Sequence, residues 1–275
     1  MRDCDVIITN KLKLNESNLA DAIDLKLICV TATGFDNIDI EYARKREIGV
    51  CNVVGYSTNN VAQITVGMAL DLVNRMKEYG ISVSSGAYSE QSVANILTPT
   101  YHEIEGMKWG VVGFGNIGKR VARVAEALGC HVLVNKREAL DDTACVDIET
   151  LCRECDIISI HTPLNDGTRN LISRERIAMM KDGAILINVA RGAVTDEQAV
   201  ADAIKSGKLC GFGCDVYTSE PFSAEHPYYS IKEFDNVILT PHMAWGSYEA
   251  RVRLCNEVKQ NIIAYFRGEM RNRLD

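Results

Sequence analysis

The chain has 275 residues, which suits one large or two modest domains, and 47% of them are apolar, enough to bury a sizeable core. Its formal net charge of −7 argues against a nucleic-acid binder, which ordinarily carries a basic patch. No apolar run is long enough to span a bilayer, and the N-terminal residues Met1-Arg2-Asp3-Cys4-Asp5-Val6-Ile7-Ile8 lack the apolar stretch and cleavage pattern of a secretory signal.

Short apolar runs alternate with amphipathic stretches along nearly the whole chain, the mark of parallel α/β architecture. Strands are predicted over residues 6–9, 27–30 and 50–53, with helices over 16–24 and 39–46 between them. A long helix over 60–79 is apolar nearly all round, through Val61, Ile64, Val66, Met68, Leu70 and Leu72. Such a helix belongs between layers. Residues 80–105 are polar and turn-rich, and read as a helix remnant followed by a loop. The pattern then tightens. Strands are predicted over 109–112, 132–134, 157–160, 184–188, 211–215 and 237–239. Helices are predicted over 116–128, 147–153, 173–179, 196–206 and 247–266.

Ten cysteines are scattered, mostly singly and often inside apolar runs, which reads as reduced thiols of a cytoplasmic protein. Cys152 and Cys155 form a C-x-x-C, but no second ligand pair stands at zinc-knuckle spacing. No metal site is expected, and the pair reads as a helix end followed by a strand start, with a redox pair as the alternative.

The segment Gly113-Phe114-Gly115-Asn116-Ile117-Gly118 is a G-x-G-x-x-G. The motif alone is weak, but here it follows a strand and opens a helix, and a second strand comes next. Gly113 permits the tight turn, Gly115 lets a pyrophosphate approach the backbone, and Gly118 lets the helix pack on the sheet. The helix N-terminus offers N–H groups and the positive end of its dipole to phosphate. At the tip of the second strand, where an acid would bind a ribose 2′-hydroxyl, the sequence reads Val134-Asn135-Lys136-Arg137. Two cations in place of an acid favour NADP(H) over NAD(H).

Three later segments carry candidate chemistry: Asn188-Val189-Ala190-Arg191-Gly192, Cys214-Asp215-Val216-Tyr217-Thr218-Ser219-Glu220-Pro221 and Thr240-Pro241-His242-Met243-Ala244-Trp245. Each follows a predicted strand. Ligands of open α/β sheets bind outside the carboxyl ends of strands, so Arg191, Glu220 and His242 are expected in one crevice.

These segments, with Ala32-Thr33-Gly34-Phe35-Asp36-Asn37-Ile38-Asp39, Val61-Ala62-Gln63, the glycine turn and His161-Thr162-Pro163-Leu164, resemble the D-2-hydroxyacid dehydrogenases nearly from end to end. The likeness is greatest to the glycerate dehydrogenase/hydroxypyruvate reductase branch, of which Trp245 after His242 is typical. The resemblance implies a Rossmann-type doubly wound parallel sheet (59–244) and a flavodoxin-like substrate domain (1–58 with 245–275). Members ordinarily begin with a strand, a helix and a second strand before the segment matching residues 5–10. The substrate domain is therefore expected to be truncated, with an unpaired edge beside residues 6–9.

It further implies that Arg191 holds the carboxylate and keto oxygen of a 2-keto acid, that His242 is the acid/base, and that Glu220 pairs with His242 and favours its protonated form. By the same resemblance Asp215 meets the nicotinamide carboxamide, and His161, Thr162, Pro163, Val189 and Ala190 line the cofactor. The backbone of Thr33 and Gly34 receives the substrate carboxylate, with Trp245 near the substrate. A homodimer through the cofactor domain is expected on the same ground. The alternative is a nucleotide-binding pseudoenzyme or a corepressor-like binding protein of the same fold.

Overall fold

A computed structural model describes residues 3–136 and 144–275 and divides into two compact units, one of residues up to Ser57 with Gly246–Asp275, the other of Thr58–Trp245. The chain runs through β1 (Val6–Thr9), α1 (Glu16–Leu19), β2 (Leu27–Val30), α2 (Ile40–Lys45) and β3 (Gly49–Cys51). It continues with α3 (Thr58–Asn74), α4 (Met76–Ser84), β4 (Lys108–Val112), α5 (Asn116–Ala127), β5 (His131–Asn135), α6 (Ile148–Glu154) and β6 (Ile157–Ile160). Last come α7 (Arg174–Met179), β7 (Ala184–Asn188), α8 (Glu197–Lys205), β8 (Leu209–Cys214), β9 (Val237–Leu239) and α9 (Tyr248–Phe266).

The smaller unit is a three-stranded parallel sheet in the order β1-β2-β3, with Ile28 opposite both Ile7 and Val50. Helix α9 packs on it, and the Tyr265 ring lies where a side chain on Gly49 would be. The C-terminus returns along β3: Leu274 N–H donates to Val50 O at 2.9 Å, and Val50 N–H donates to the Asp275 carboxylate at 2.7 Å.

The larger unit holds a six-stranded parallel sheet, order β5-β4-β6-β7-β8-β9. Cys145 adds one parallel bridge outside β5, to Val134. After β5 the chain crosses back and places β6 on the other side of β4. That reversal makes a switch point between β4 and β6, where ligands of doubly wound sheets bind. Alternate strand residues divide between two buried layers. Val112, Ile158, Ile160 and Leu186 face one side with Leu151, Val200 and Phe212. Val111, Ile157, Ile185 and Ile187 face the other with Val61, Met68 and Val121. This is the parallel α/β architecture that the strand–helix alternation implies, in the Rossmann-type arrangement that the resemblance implies.

Helix starts follow local chemistry. Asp147, Ser173, Asp196 and Ser247 each cap a helix by accepting the N–H three residues on. Two helices differ from expectation. The segment expected as a helix over 16–24 stops at Leu19, and the Arg46 guanidinium satisfies the carbonyls of Leu19 and Ala22, both at 3.3 Å. The helix expected over 60–79 breaks at Arg75, which is left-handed at φ +52°. There Arg75 pairs with Glu78 at 2.9 Å, a contact within one turn that periodicity does not register. Among the described residues no helix is long and apolar enough to cross a membrane.

Candidate active site

The glycine turn sits at the switch point. Gly113 has φ +94°, and a Cβ there would lie 2.8 Å from the backbone of His161 and Thr162, which leave β6. A Cβ on Gly118 would lie 2.1 Å from Gly113 O, so the turn closes on its own helix only with glycine at both places. Gly115 is the opposite case: it is exposed, nothing lies within 4 Å of its Cβ position, and it opens α5 with no side-chain cap. A closed turn, an open approach and a helix N-terminus without a side-chain acceptor fit a pyrophosphate. Phe114 and Ile117 pack on the apolar layer below, with Lys119 Nζ 5.9 Å from the Phe114 ring, while Asn116 is exposed. Lys136 follows β5 half-buried, and the neighbouring Asn135 amide donates to Val146 O at 2.9 Å. Arg137 lies outside the described residues.

The adjacent strands β7, β8 and β9 deliver the other segments from one end of the sheet. Past β7, the buried Asn188 side chain shapes the turn: its carbonyl accepts Ala190 N–H at 3.0 Å and its amide donates to Arg191 O at 2.9 Å. Val189 is buried and Ala190 half-buried, and Arg191 Nη1 donates to Ala190 O at 2.8 Å. A Cβ on Gly192 would lie 2.1 Å from Tyr217 C, so this turn sits directly on the segment leaving β8.

Past β8, Asp215 is buried at 1% exposure. One oxygen accepts Thr240 Oγ1–H at 2.6 Å and Met243 N–H at 2.8 Å, and the other accepts Ala244 N–H at 2.9 Å. This carboxylate, which the resemblance assigns to the nicotinamide carboxamide, accepts these three bonds from the loop that follows β9. That loop carries His242 at φ +52°, with its N–H on Thr240 O at 2.9 Å. His242 Nδ1 lies 2.7 Å from Glu220 Oε2, and Glu220 Oε1 accepts Tyr217 N–H at 3.0 Å. Both side chains are partly exposed, at 25% and 21%. A titratable ring held by a carboxylate at a sheet's carboxyl end can exchange a proton with a ligand while keeping a fixed orientation.

A profile of the D-isomer specific 2-hydroxyacid dehydrogenase NAD-binding domain matches residues 66–244. The chain is 34% identical over 272 residues to a glycerate dehydrogenase of Methylorubrum extorquens, covering 99% of this chain and 86% of that one. It is 36% identical over 278 residues to a glyoxylate reductase of Thermococcus litoralis, covering 98% and 83%. Among solved structures it is similar to the Aquifex aeolicus D-lactate dehydrogenase complexed with NAD and lactic acid, with TM-score 0.88, 33% identity, and 98% and 84% of the two chains covered.

The chain belongs to the D-isomer specific 2-hydroxyacid dehydrogenase family.

As a dehydrogenase of this family it is an oxidoreductase acting on CH–OH donors with a nicotinamide cofactor. Other expected site residues are placed as follows. Thr162 is half-buried and Pro163 exposed beyond β6, where Pro163 O accepts the Thr168 hydroxyl at 2.6 Å. Trp245 is half-buried against the α3–α5 apolar layer. In the smaller unit, Thr33 Oγ1 donates to Val53 O at 2.9 Å and Thr33 O accepts the Asn52 amide at 2.8 Å. Gly34 beside it is half-buried.

The dehydrogenase keeps Cys152 and Cys155 fully buried, and burial pushes their thiols up to about 11 and about 12. Thiolate is the reactive form, so this C-x-x-C is inert core. Sequence reasoning missed Asn188, Tyr217, Ser159 and Trp109 as supports of the site. Only Asn188 and Tyr217 lie in the recognised segments; Ser159 and Trp109 meet across strands far apart in sequence.

The His161 ring turns inward, with Nε2 3.0 Å from Ser159 Oγ, which also accepts Trp109 Nε1–H at 2.9 Å. The part of His161 that lies against the glycine turn is its backbone, 2.8 Å from the Cβ position of Gly113. Burial holds the ring far below the usual histidine value of 6.5, at about 3. An unfolded chain takes up this proton near 6.5 and the folded one only near 3, so folding stability from this group is present above 6.5 and lost as pH falls. The loss should be about 1 kcal/mol between pH 6.5 and 5.5. Urea unfolding at the two pH values measures it, and His161→Asn should remove that share of the acid sensitivity.

Proposed function

We propose that this dehydrogenase reduces a short 2-keto acid, hydroxypyruvate or glyoxylate, to D-glycerate or glycolate with NADPH. The observation that carries the reading is the His242–Glu220 pair at 2.7 Å beside the strand exit that bears Arg191. The relatives named glycerate dehydrogenase and glyoxylate reductase support this substrate class.

When bound, the cofactor supplies a hydride from nicotinamide C4 to the keto carbon. Arg191 binds the substrate's carboxylate and keto oxygen through the two-pronged edge of its guanidinium. His242 donates its proton to the keto oxygen from Nε2, the nitrogen that does not face Glu220, and the product is the 2-hydroxy acid. In the reverse direction the same nitrogen receives the hydroxyl proton. Glu220 aims the ring through its 2.7 Å contact with Nδ1. The pyrophosphate is held by the Gly113–Gly118 turn and the N-terminus of α5. By resemblance alone, the Thr33–Gly34 backbone is assigned to the carboxylate and Trp245 to substrate selection. All ten cysteines are free, which supports a reducing, cytoplasmic setting.

Turnover of hydroxypyruvate and glyoxylate with each cofactor tests the reading. His242→Ala should lower kcat by about 100-fold or more while leaving NADPH affinity in place. Turnover that survives the substitution would remove His242 from the acid/base role.

Lys136 and the absence of an acid at the tip of β5 support the NADPH preference. Wild-type kcat/KM should be higher with NADPH, and Lys136→Asp should move it toward NADH. A wild-type preference for NADH would refute this assignment.

A homodimer through the larger unit is supported by apolar side chains exposed along one segment, among them Met76 (61%), Val93 (59%) and Leu97 (72%). Light scattering should give twice the 30.4 kDa chain mass, and replacing Val93 and Leu97 by Glu should halve it.

A further inference from the structure

Glu197 opens α8, a helix whose cap is already supplied by Asp196, accepting Ala199 N–H at 2.9 Å. An exposed acid would serve the first turn of such a helix equally well. Glu197 is instead only 8% exposed and faces another segment. Its Oε1 accepts the Thr218 N–H at 2.9 Å and its Oε2 accepts the Thr218 hydroxyl at 2.5 Å. His226 Nε2 stands 2.9 Å from Oε2, off the line of a hydrogen bond, while His226 Nδ1 accepts Tyr228 N–H at 3.2 Å. The rings of Phe222, Tyr217 and Tyr228 surround His226 at 5.0, 5.9 and 5.1 Å and close the cluster off.

The peptide that Glu197 grips has two dependants. One peptide unit earlier, the Tyr217 N–H donates to Glu220 Oε1 at 3.0 Å, and the other oxygen of Glu220 meets His242 at 2.7 Å. On its other side sits Gly192, whose Cβ position is 2.1 Å from Tyr217 C and 2.3 Å from Thr218 N, next to Arg191. A shift of the Tyr217–Thr218 peptide would therefore displace the turn bearing Arg191 and the carboxylate aiming His242 together. We propose that Glu197 is a positioning residue for the reaction, its buried carboxylate setting the Tyr217–Thr218 peptide from which the Arg191 turn and the Glu220–His242 pair take their geometry. The inference rests on the roles assigned above to Arg191, Glu220 and His242.

The expected signature is kinetic and separable from folding. Misplacement on the scale of an ångström lowers rates by about 100-fold. Glu197→Ala should lower kcat for hydroxypyruvate by about 10- to 100-fold, with NADPH affinity from fluorescence titration kept within about twofold. Glu197→Gln, which retains one acceptor oxygen, should fall between Glu197→Ala and wild type. Asp196→Ala removes the cap of the same helix without touching Thr218. It should lower the melting temperature yet keep kcat below that temperature. Should Glu197→Ala not fold, Thr218→Val removes the hydroxyl contact alone and should lower kcat several-fold. The proposal is overturned if folded Glu197→Gln and Thr218→Val both show wild-type kcat, or if Asp196→Ala loses kcat equally. Wild-type turnover in His242→Ala would bring down the underlying site reading. Turnover lost in His242→Ala but intact in the Glu197 and Thr218 variants would bring down the positioning role alone.

Discussion

Asp215 leaves the end of β8 with its carboxylate buried, and the functional end of the larger unit is arranged around it. A buried charge persists only where its oxygens have donors. Here Thr240 Oγ1, Met243 N and Ala244 N supply them from both sides of His242. His242 occupies a left-handed conformation that a residue with a side chain seldom adopts, at a cost of about 1–3 kcal/mol. Charge-assisted hydrogen bonds on its flanks offset that cost and deny the loop an easier shape. The Asp215 N–H also donates to Asn188 O at 3.0 Å, and Asn188 shapes the Arg191 turn. One residue thereby joins the loop of the proposed acid/base to the turn of the proposed carboxylate clamp.

The parts of the chain legible in its sequence are those with local causes. Alternating apolar residues in β6 and β7 must divide between two faces, and they do. Ser and Asp at helix starts must find N–H groups, so the beginnings of α6, α7, α8 and α9 were readable. The glycine turn was readable because Gly113 and Gly118 have no alternative where backbone meets backbone. The helix of the smaller unit ending at Leu19 and the break at Arg75 were not, because each depends on an arginine side chain that hydropathy does not weigh.

At the site, residue types announced themselves but partners did not. Arg191, Glu220 and His242 stand out by chemistry and by strand position. Asn188 and Asp215 act through hydrogen bonds to backbone, which leave no periodicity. Ser159 reads as one more residue of an apolar strand, although it sits between the Trp109 indole and the His161 ring. His161 shows the cost of reading a motif by side chain: a histidine at the end of β6 looks available for a ligand, yet its ring is buried.

The strand order also separates two properties that a dehydrogenase must set. The residues that would distinguish the cofactors lie at the tip of β5, at one edge of the sheet, and His242 follows β9 at the other. Five strand spacings of about 4.8 Å put these edges about 24 Å apart. Substitutions more than about 10 Å apart with no shared partner act nearly independently. Asn135 and Lys136 share no hydrogen-bond partner with Asp215, Glu220 or His242 in the contacts described above. The cofactor choice proposed for the tip of β5 and the keto-acid recognition proposed for the exits of β7–β9 should therefore respond to substitution separately. The glycine turn at the switch point lies between them, and neither Gly113 nor Gly118 there has room for a side chain.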